Sequence, residues 1–95
     1  MQNGTDYLLK YVMNDTYQKL LEKNHTYTIE SLVDNRVDVD LNIRYLIHLG
    51  VKNIDRVVLE RLDDLLLKTT EFEEKMNNYM EKLTKDGLVE MLDNS

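Results

Sequence analysis

No proline occurs anywhere in the 95 residues, and the three glycines fall at positions 4, 50 and 87. Proline removes a backbone donor and clashes with the preceding turn, so without it a helical segment runs until something else ends it. Each glycine stands where an apolar helical pattern begins or ends, which is where its access to positive φ is useful. Apolar residues recur at three- and four-residue spacing through most of the chain, and this predicts an all-α fold. The expected architecture is a compact bundle of five to six short helices. It forms a single domain over 1–95, with amino-terminal helices over 5–35 and a helical core over 38–93. A chain this short carries one core rather than two.

Other absences narrow the chemistry. There is no cysteine, hence no disulfide, thiolate metal site or thiol nucleophile, and a reducing, cytoplasmic setting is the default expectation. There is no alanine either, so the bundle must be filled by Leu, Ile, Val, Met and Tyr at wide helix spacing. No continuous apolar run exceeds three residues, as in Leu65-Leu66-Leu67, so no membrane span is expected. The formal net charge of −6 opposes nonspecific phosphate binding, which relies on clustered Lys and Arg.

The pattern places the helices as follows. Thr5 or Asp6 caps a helix through residue 23, with a weak point at Asn14-Asp15-Thr16 that can split it in two. Thr28 caps a short helix ending at Asp34. Residues 36–43 alternate apolar and polar; the second half reads as the start of a helix capped by Asp38 or Asp40, with a strand as the alternative. That helix ends at Gly50, with Val51 placed for the apolar contact of a glycine C-cap. Asn53 starts the next helix, a central one over Ile54–Leu67. Thr70-Glu71-Phe72-Glu73 has the form of a capping box, and Phe72, Met76, Tyr79, Met80 and Leu83 follow on one face. Glu71–Lys75 and Glu81–Lys85 have the spacing of favourable helical ion pairs. Asp86-Gly87 then breaks the helix before a last short one.

Catalytic signals are absent from the sequence: no nucleophile elbow, no phosphate-binding glycine loop, and one internal serine, Ser31. No catalytic residue, metal ligand or cofactor is expected. Asp38-x-Asp40-x-Asn42 has the opening spacing of a calcium loop, but Ile43 and Leu49 stand where that loop needs Gly and a bidentate Glu. His25 and His48 have no nearby ligand partner, and His48 lies in the expected last turn of its helix, where a positive charge suits the dipole.

Residues 42–61 have part of the pattern of a helix-turn-helix. Tyr45, Leu49, Gly50, Val51 and Leu59 fit its apolar and turn positions, whereas Leu46 and Arg56 depart from it. The second helix carries Asp55, Glu60, Asp63 and Asp64, which a major groove would repel. The stretch from Asn42 to Leu67, with Leu49-Gly50, the short turn and Leu65-Leu66-Leu67, resembles one repeat of the mitochondrial transcription termination factor family. Residues 71–92 form a degenerate second copy: at an offset of 34, Tyr45, Leu46, Leu49, Ile54, Val57 and Val58 fall on Tyr79, Met80, Leu83, Leu88, Met91 and Leu92. Leu62-Asp63-Asp64 stands where that family has a proline. The resemblance, over 42–92, implies paired helical repeats and an association with nucleic acid.

Two functional expectations follow. The first is a non-catalytic protein-interaction module or small regulatory adaptor, binding a protein partner or a second copy of itself through Tyr7, Tyr11 and Tyr17. Tyrosine rings bury well at interfaces while the hydroxyl stays paired. The alternative is a nucleic-acid-associated regulator using Arg36, Arg44, Lys52 and Arg56 around the Gly50 turn. It requires those four side chains to form one patch with the acids facing away.

Overall fold

The alternating stretch 36–43 is helical from its first residue in the computed structural model, which describes residues 4–94. This helix, α3, runs Arg36–Leu49. Val39, Asn42, Ile43 and Leu46 are its buried residues, at three- and four-residue spacing. The strand alternative is thereby overturned, and the helix begins at Arg36 rather than at Asp38 or Asp40. Burial decides the matter, because only the helical period turns Val39, Ile43 and Leu46 toward one neighbouring surface.

The described chain opens with a 3-10 turn, η1 (Asp6–Lys10), followed by α1 (Asn14–Lys23), α2 (Thr26–Asp34), α3, α4 (Ile54–Glu60), α5 (Leu62–Leu65) and α6 (Thr69–Asn94). None of the described residues forms a strand, and the all-α bundle expected from the sequence is the fold. Helix α3 packs chiefly on α6 and also on α5 and α2, while α4 packs on α1, α5 and α6. The radius of gyration is 13.0 Å, within about 1 Å of the value for a compact chain of this length. Phe72, Leu46, Leu65, Met76, Ile43 and Leu88 occupy the centre, with the Tyr45 ring edge-on to Phe72 at 5.9 Å. No helix among the described residues is long and apolar enough to cross a membrane.

The glycine stop at the end of α3 is as expected. Gly50 has φ of 110°, its N–H donates to the Ile47 carbonyl, and the Val51 N–H donates back to Leu46 with the Val51 side chain buried. Asn53 begins α4, its side chain accepting from the Arg56 N–H. His48 lies in the last turn of α3.

Elsewhere the boundaries move. The amino-terminal helix is broken at residues 11–13, and α1 begins at Asn14 instead of being split there. Helix α2 begins at Thr26, two residues before the expected cap at Thr28. The central helix over 54–67 is interrupted at Arg61, where φ is −127° and ψ is 35°. Its two halves bury against different partners: α4 against α1 and α6, α5 against α3. One straight rod could not face both.

The capping box at Thr70–Glu73 does not form, since α6 starts one residue earlier and Asp38 Oδ1 accepts from both the N–H and the hydroxyl of Thr69. Lys75 pairs with Asp64 at 2.6 Å rather than with Glu71. The break in α6 falls at Thr84, three residues before Gly87. There φ is 67° and ψ is 169°, and the Thr84 hydroxyl accepts from the Gly87 N–H. Glu81 and Lys85 therefore sit on opposite sides of a kink. The second limb, 85–94, returns to the core through Leu88 and Leu92. Gly50 and Thr84, both at positive φ, are separated by the same 34 residues that relate the two segments of the self-match.

Several helix ends are satisfied by side chains distant in sequence. Asp55 Oδ2 accepts from the Met13 N–H and the Thr16 hydroxyl at the start of α1. Asp93 Oδ1 accepts from the Lys52 and Asn53 N–H groups before α4. The buried Asn42 amide donates to the Leu65 and Leu67 carbonyls at the end of α5. Free backbone groups at helix termini need such partners, and here they tie neighbouring helices together.

Candidate functional site

Residues 36, 40 and 44 are four apart, so Arg36, Asp40 and Arg44 form a row along the outside of α3. Val37 and Leu41 form a second row beside it, 67% and 43% exposed. The η1 turn lies across this face and is held there by its own side chains. The Tyr7 hydroxyl donates to the Leu32 carbonyl at 2.8 Å, near the end of α2. The Tyr11 hydroxyl donates to Asp40 Oδ1 at 2.5 Å, and the Lys10 ammonium reaches the same oxygen at 3.3 Å. Arg44 Nε contacts the other Asp40 oxygen at 3.2 Å and donates to the Tyr11 hydroxyl oxygen at 3.1 Å.

Asp40 is thus the hub joining η1 to α3. Burial by itself would raise its carboxyl pKa. The hydrogen bonds from Tyr11 and Lys10, with the charges of Lys10 and Arg44, outweigh that effect and hold the group below its ordinary value. The Tyr7 phenol is pushed the other way, upward, by burial and by the nearby Asp40 charge, so it remains a donor at neutral pH. Between η1 and α3 lies a groove of about 250 Å³ lined by Tyr7, Lys10, Arg36, Val37, Asp40 and Leu41. Arg36 makes no ion pair among the described residues.

The structure therefore brings together Tyr7, Tyr11, Arg36 and Arg44, which sequence reasoning had assigned to two separate sites. Tyr17 does not join them: it is 8% exposed, and its hydroxyl shares a 2.8 Å hydrogen bond with the Thr5 hydroxyl inside the core. Lys52 lines a different depression with Asp86, Glu90 and Asp93. Arg56 contacts Glu60 at 3.1 Å and lines a third cleft with Arg61 and Leu92. Arg36, Lys52 and Arg56 thus line three separate depressions, each with an acid in it, and Arg44 lies beside the first through its contact with Asp40.

Sequence reasoning missed Lys10, Val37, Asp40 and Leu41 as parts of this surface. The signal was present in the alternation Val37, Val39, Leu41, Ile43. Wrapped on a helix, that spacing sends 39 and 43 to one face and 37 and 41 to the opposite one. The calcium-like spacing Asp38-x-Asp40-x-Asn42 separates into three tasks: Asp38 caps α6, Asp40 anchors η1, and Asn42 is buried against α5. No three His, Asp or Glu side chains among the described residues gather closely enough to hold a metal ion.

The arrangement offers apolar contact from Val37 and Leu41, the flank of a fixed tyrosine ring, and guanidinium donors suited to carboxylates. Compared with known protein families, curated proteins and solved structures, the chain matches none.

Proposed function

We propose that this chain is a non-catalytic protein-interaction module whose binding surface is the groove between η1 and α3. The observation that carries the proposal is the exposed apolar pair Val37 and Leu41, set beside Tyr7 in a concave surface. Exposed apolar residues gathered in a groove with a polar rim are the usual footing for a partner, whereas apolar residues scattered singly need no explanation. Its lining sets one guanidinium, one ammonium and one carboxylate around Val37, Leu41 and the Tyr7 ring, groups suited to contact with the side chains of a partner. Tyr7 takes part as a fixed wall, its hydroxyl committed to the Leu32 carbonyl so that ring area is left for contact, while Tyr11 holds Asp40 in place beside it.

Self-association remains the simplest competing arrangement, but groove-to-groove pairing about a twofold axis sets a patch of three cations and one carboxylate against its own copy. The charges therefore favour a different chain as partner. The test is site-specific photocrosslinking in the source cell. A benzophenone side chain at position 37 or 41 is expected to give one discrete adduct that is absent with the probe at the exposed positions 18 and 74. The same adduct pattern at all four positions would refute the proposal.

A further inference from the structure

We infer that the groove between η1 and α3 takes an acidic amphipathic helical segment of another protein. This rests on the interaction reading above and specifies its partner. Charge is the first ground. Lys10 and Arg36 line the groove with one carboxylate, Asp40, which Arg44 also contacts from beside it, in a chain whose net charge is −6. Asp40 is shared by Lys10 and Arg44, which leaves Arg36 as a guanidinium with no carboxylate among the described residues. A guanidinium in that state presents paired donors matched to an incoming Glu or Asp.

Apolar spacing is the second ground. Val37 and Leu41 are one turn apart on a straight helix, and a partner helix lying along α3 would meet them with apolar residues of its own at three- or four-residue spacing. A phosphate backbone would use the cations and leave this pair uncovered. Acidic and apolar residues together on one helical face satisfy both features at once.

The mode of docking follows from what is already fixed. Tyr7 and Tyr11 are tied down by Leu32 and Asp40, so η1 forms a wall that need not be ordered on binding. The partner's carboxylate is expected to reach Arg36 at the mouth of the groove, with its apolar residues over Val37 and Leu41.

The experiment uses the full chain and a phage-displayed library of 16-residue helical peptides. Charged positions are randomised between Glu and Lys, and apolar positions between Leu and Ser. Selection on the wild type, with counter-selection on V37D/L41D, is expected to enrich Leu over Ser and Glu over Lys. A selected peptide is expected to bind R36E at least tenfold more weakly and to lose affinity as salt is raised. All three substituted residues are exposed, and circular dichroism is the check that each variant stays folded. Enrichment of Leu without Glu would overturn the acidic partner while keeping the groove as a peptide site. No enrichment of either would overturn both the inference and the function it rests on. Stronger binding of a fluorescent 12-nucleotide single strand than of any peptide, lost in R36E, would replace the peptide by nucleic acid.

Discussion

Replacing Asp55 separates a cap supplied from a distance from an ordinary surface carboxylate. Its Oδ2 accepts from the Met13 N–H at 2.9 Å and from the Thr16 hydroxyl at 2.7 Å, joining α4 to the start of α1. Met13 is exposed, so its N–H can turn to water when the carboxylate is removed. Thr16 is only 6% exposed, and its hydroxyl is then left without a partner. Loss of the cap costs about 1 kcal/mol, and stranding a buried hydroxyl costs about 1–2 kcal/mol more. Asp55→Ala is therefore expected to destabilise the fold by about 2–3 kcal/mol, lowering Tm by about 15 °C in a domain of this size. Both hydrogen bonds converge on one oxygen, so Asp55→Asn can keep both acceptor contacts and forfeits only the charge, about 1 kcal/mol. Urea and thermal unfolding followed at 222 nm would measure the two variants side by side. Adding Thr16→Val tests the assignment, because with the hydroxyl gone Asp55→Ala should cost about 1–2 kcal/mol less than in the wild-type background. Equal destabilisation by Ala and Asn, or a change below about 0.5 kcal/mol for Ala, would refute the reasoning.

Thr84 sits in backbone space that a β-branched residue occupies at a cost of about 1–3 kcal/mol. Thr84→Gly is accordingly expected to raise stability by about 1 kcal/mol, whereas Thr84→Ala keeps the strain, loses the cap on Gly87 and should lower it by a similar amount; calorimetry showing both variants shifted the same way would contradict this. Asn42→Ala leaves the Leu65 and Leu67 carbonyls without their donor inside the core, for an expected loss of about 2–3 kcal/mol and faster amide exchange at the end of α5. The Asp40 carboxyl has its folded pKa below its unfolded value, so its contribution is complete above the unfolded pKa and disappears as pH falls through the folded one. The stability difference between wild type and Asp40→Asn, measured in urea from pH 7 to pH 2, should thus shrink below about pH 4; a difference that grew on acidification would reverse the assignment.

The helical period was legible wherever a single face is buried, as at Val39, Ile43 and Leu46, and wherever local chemistry ends a helix, as at Gly50 and Asn53. It misled where termination is a tertiary event. Nothing local to Thr69 announces its cap, because the acceptor is Asp38, 31 residues earlier. The only local mark at Thr84 is its hydroxyl cap on the Gly87 N–H, and what selects the kink is the return of Leu88 and Leu92 to the core four and eight residues on. Asp86-Gly87, the stronger local signal, lies inside the second limb for the same reason. The site was half legible. Tyr7, Tyr11, Arg36 and Arg44 were singled out individually, but their convergence depends on η1 folding across α3, a pairing fixed by Asp40 and the Leu32 carbonyl and by no spacing in the sequence.

The charge count changes meaning once its positions are known. As a total, −6 opposes any acidic partner. Three of the acids, Asp38, Asp55 and Asp93, are spent on helix termini, where each faces backbone donors of a neighbouring element. Asp64 lies between Lys75 at 2.6 Å and Arg61 at 3.9 Å. At physiological ionic strength a charge is felt over about 8 Å, which is shorter than any principal extent of this molecule, 42 × 25 × 20 Å. What meets an incoming segment at the groove is therefore the local set, Lys10, Arg36 and Arg44 against Asp40. The overall charge governs only the weaker, longer-range approach. Raising salt should separate the two: the long-range repulsion fades first, while the Arg36 contact, once formed and partly desolvated, persists further. An acidic peptide whose association rate rises modestly with salt while its dissociation rate also rises would carry that signature. A rate that only falls would mean the positive groove dominates at every distance.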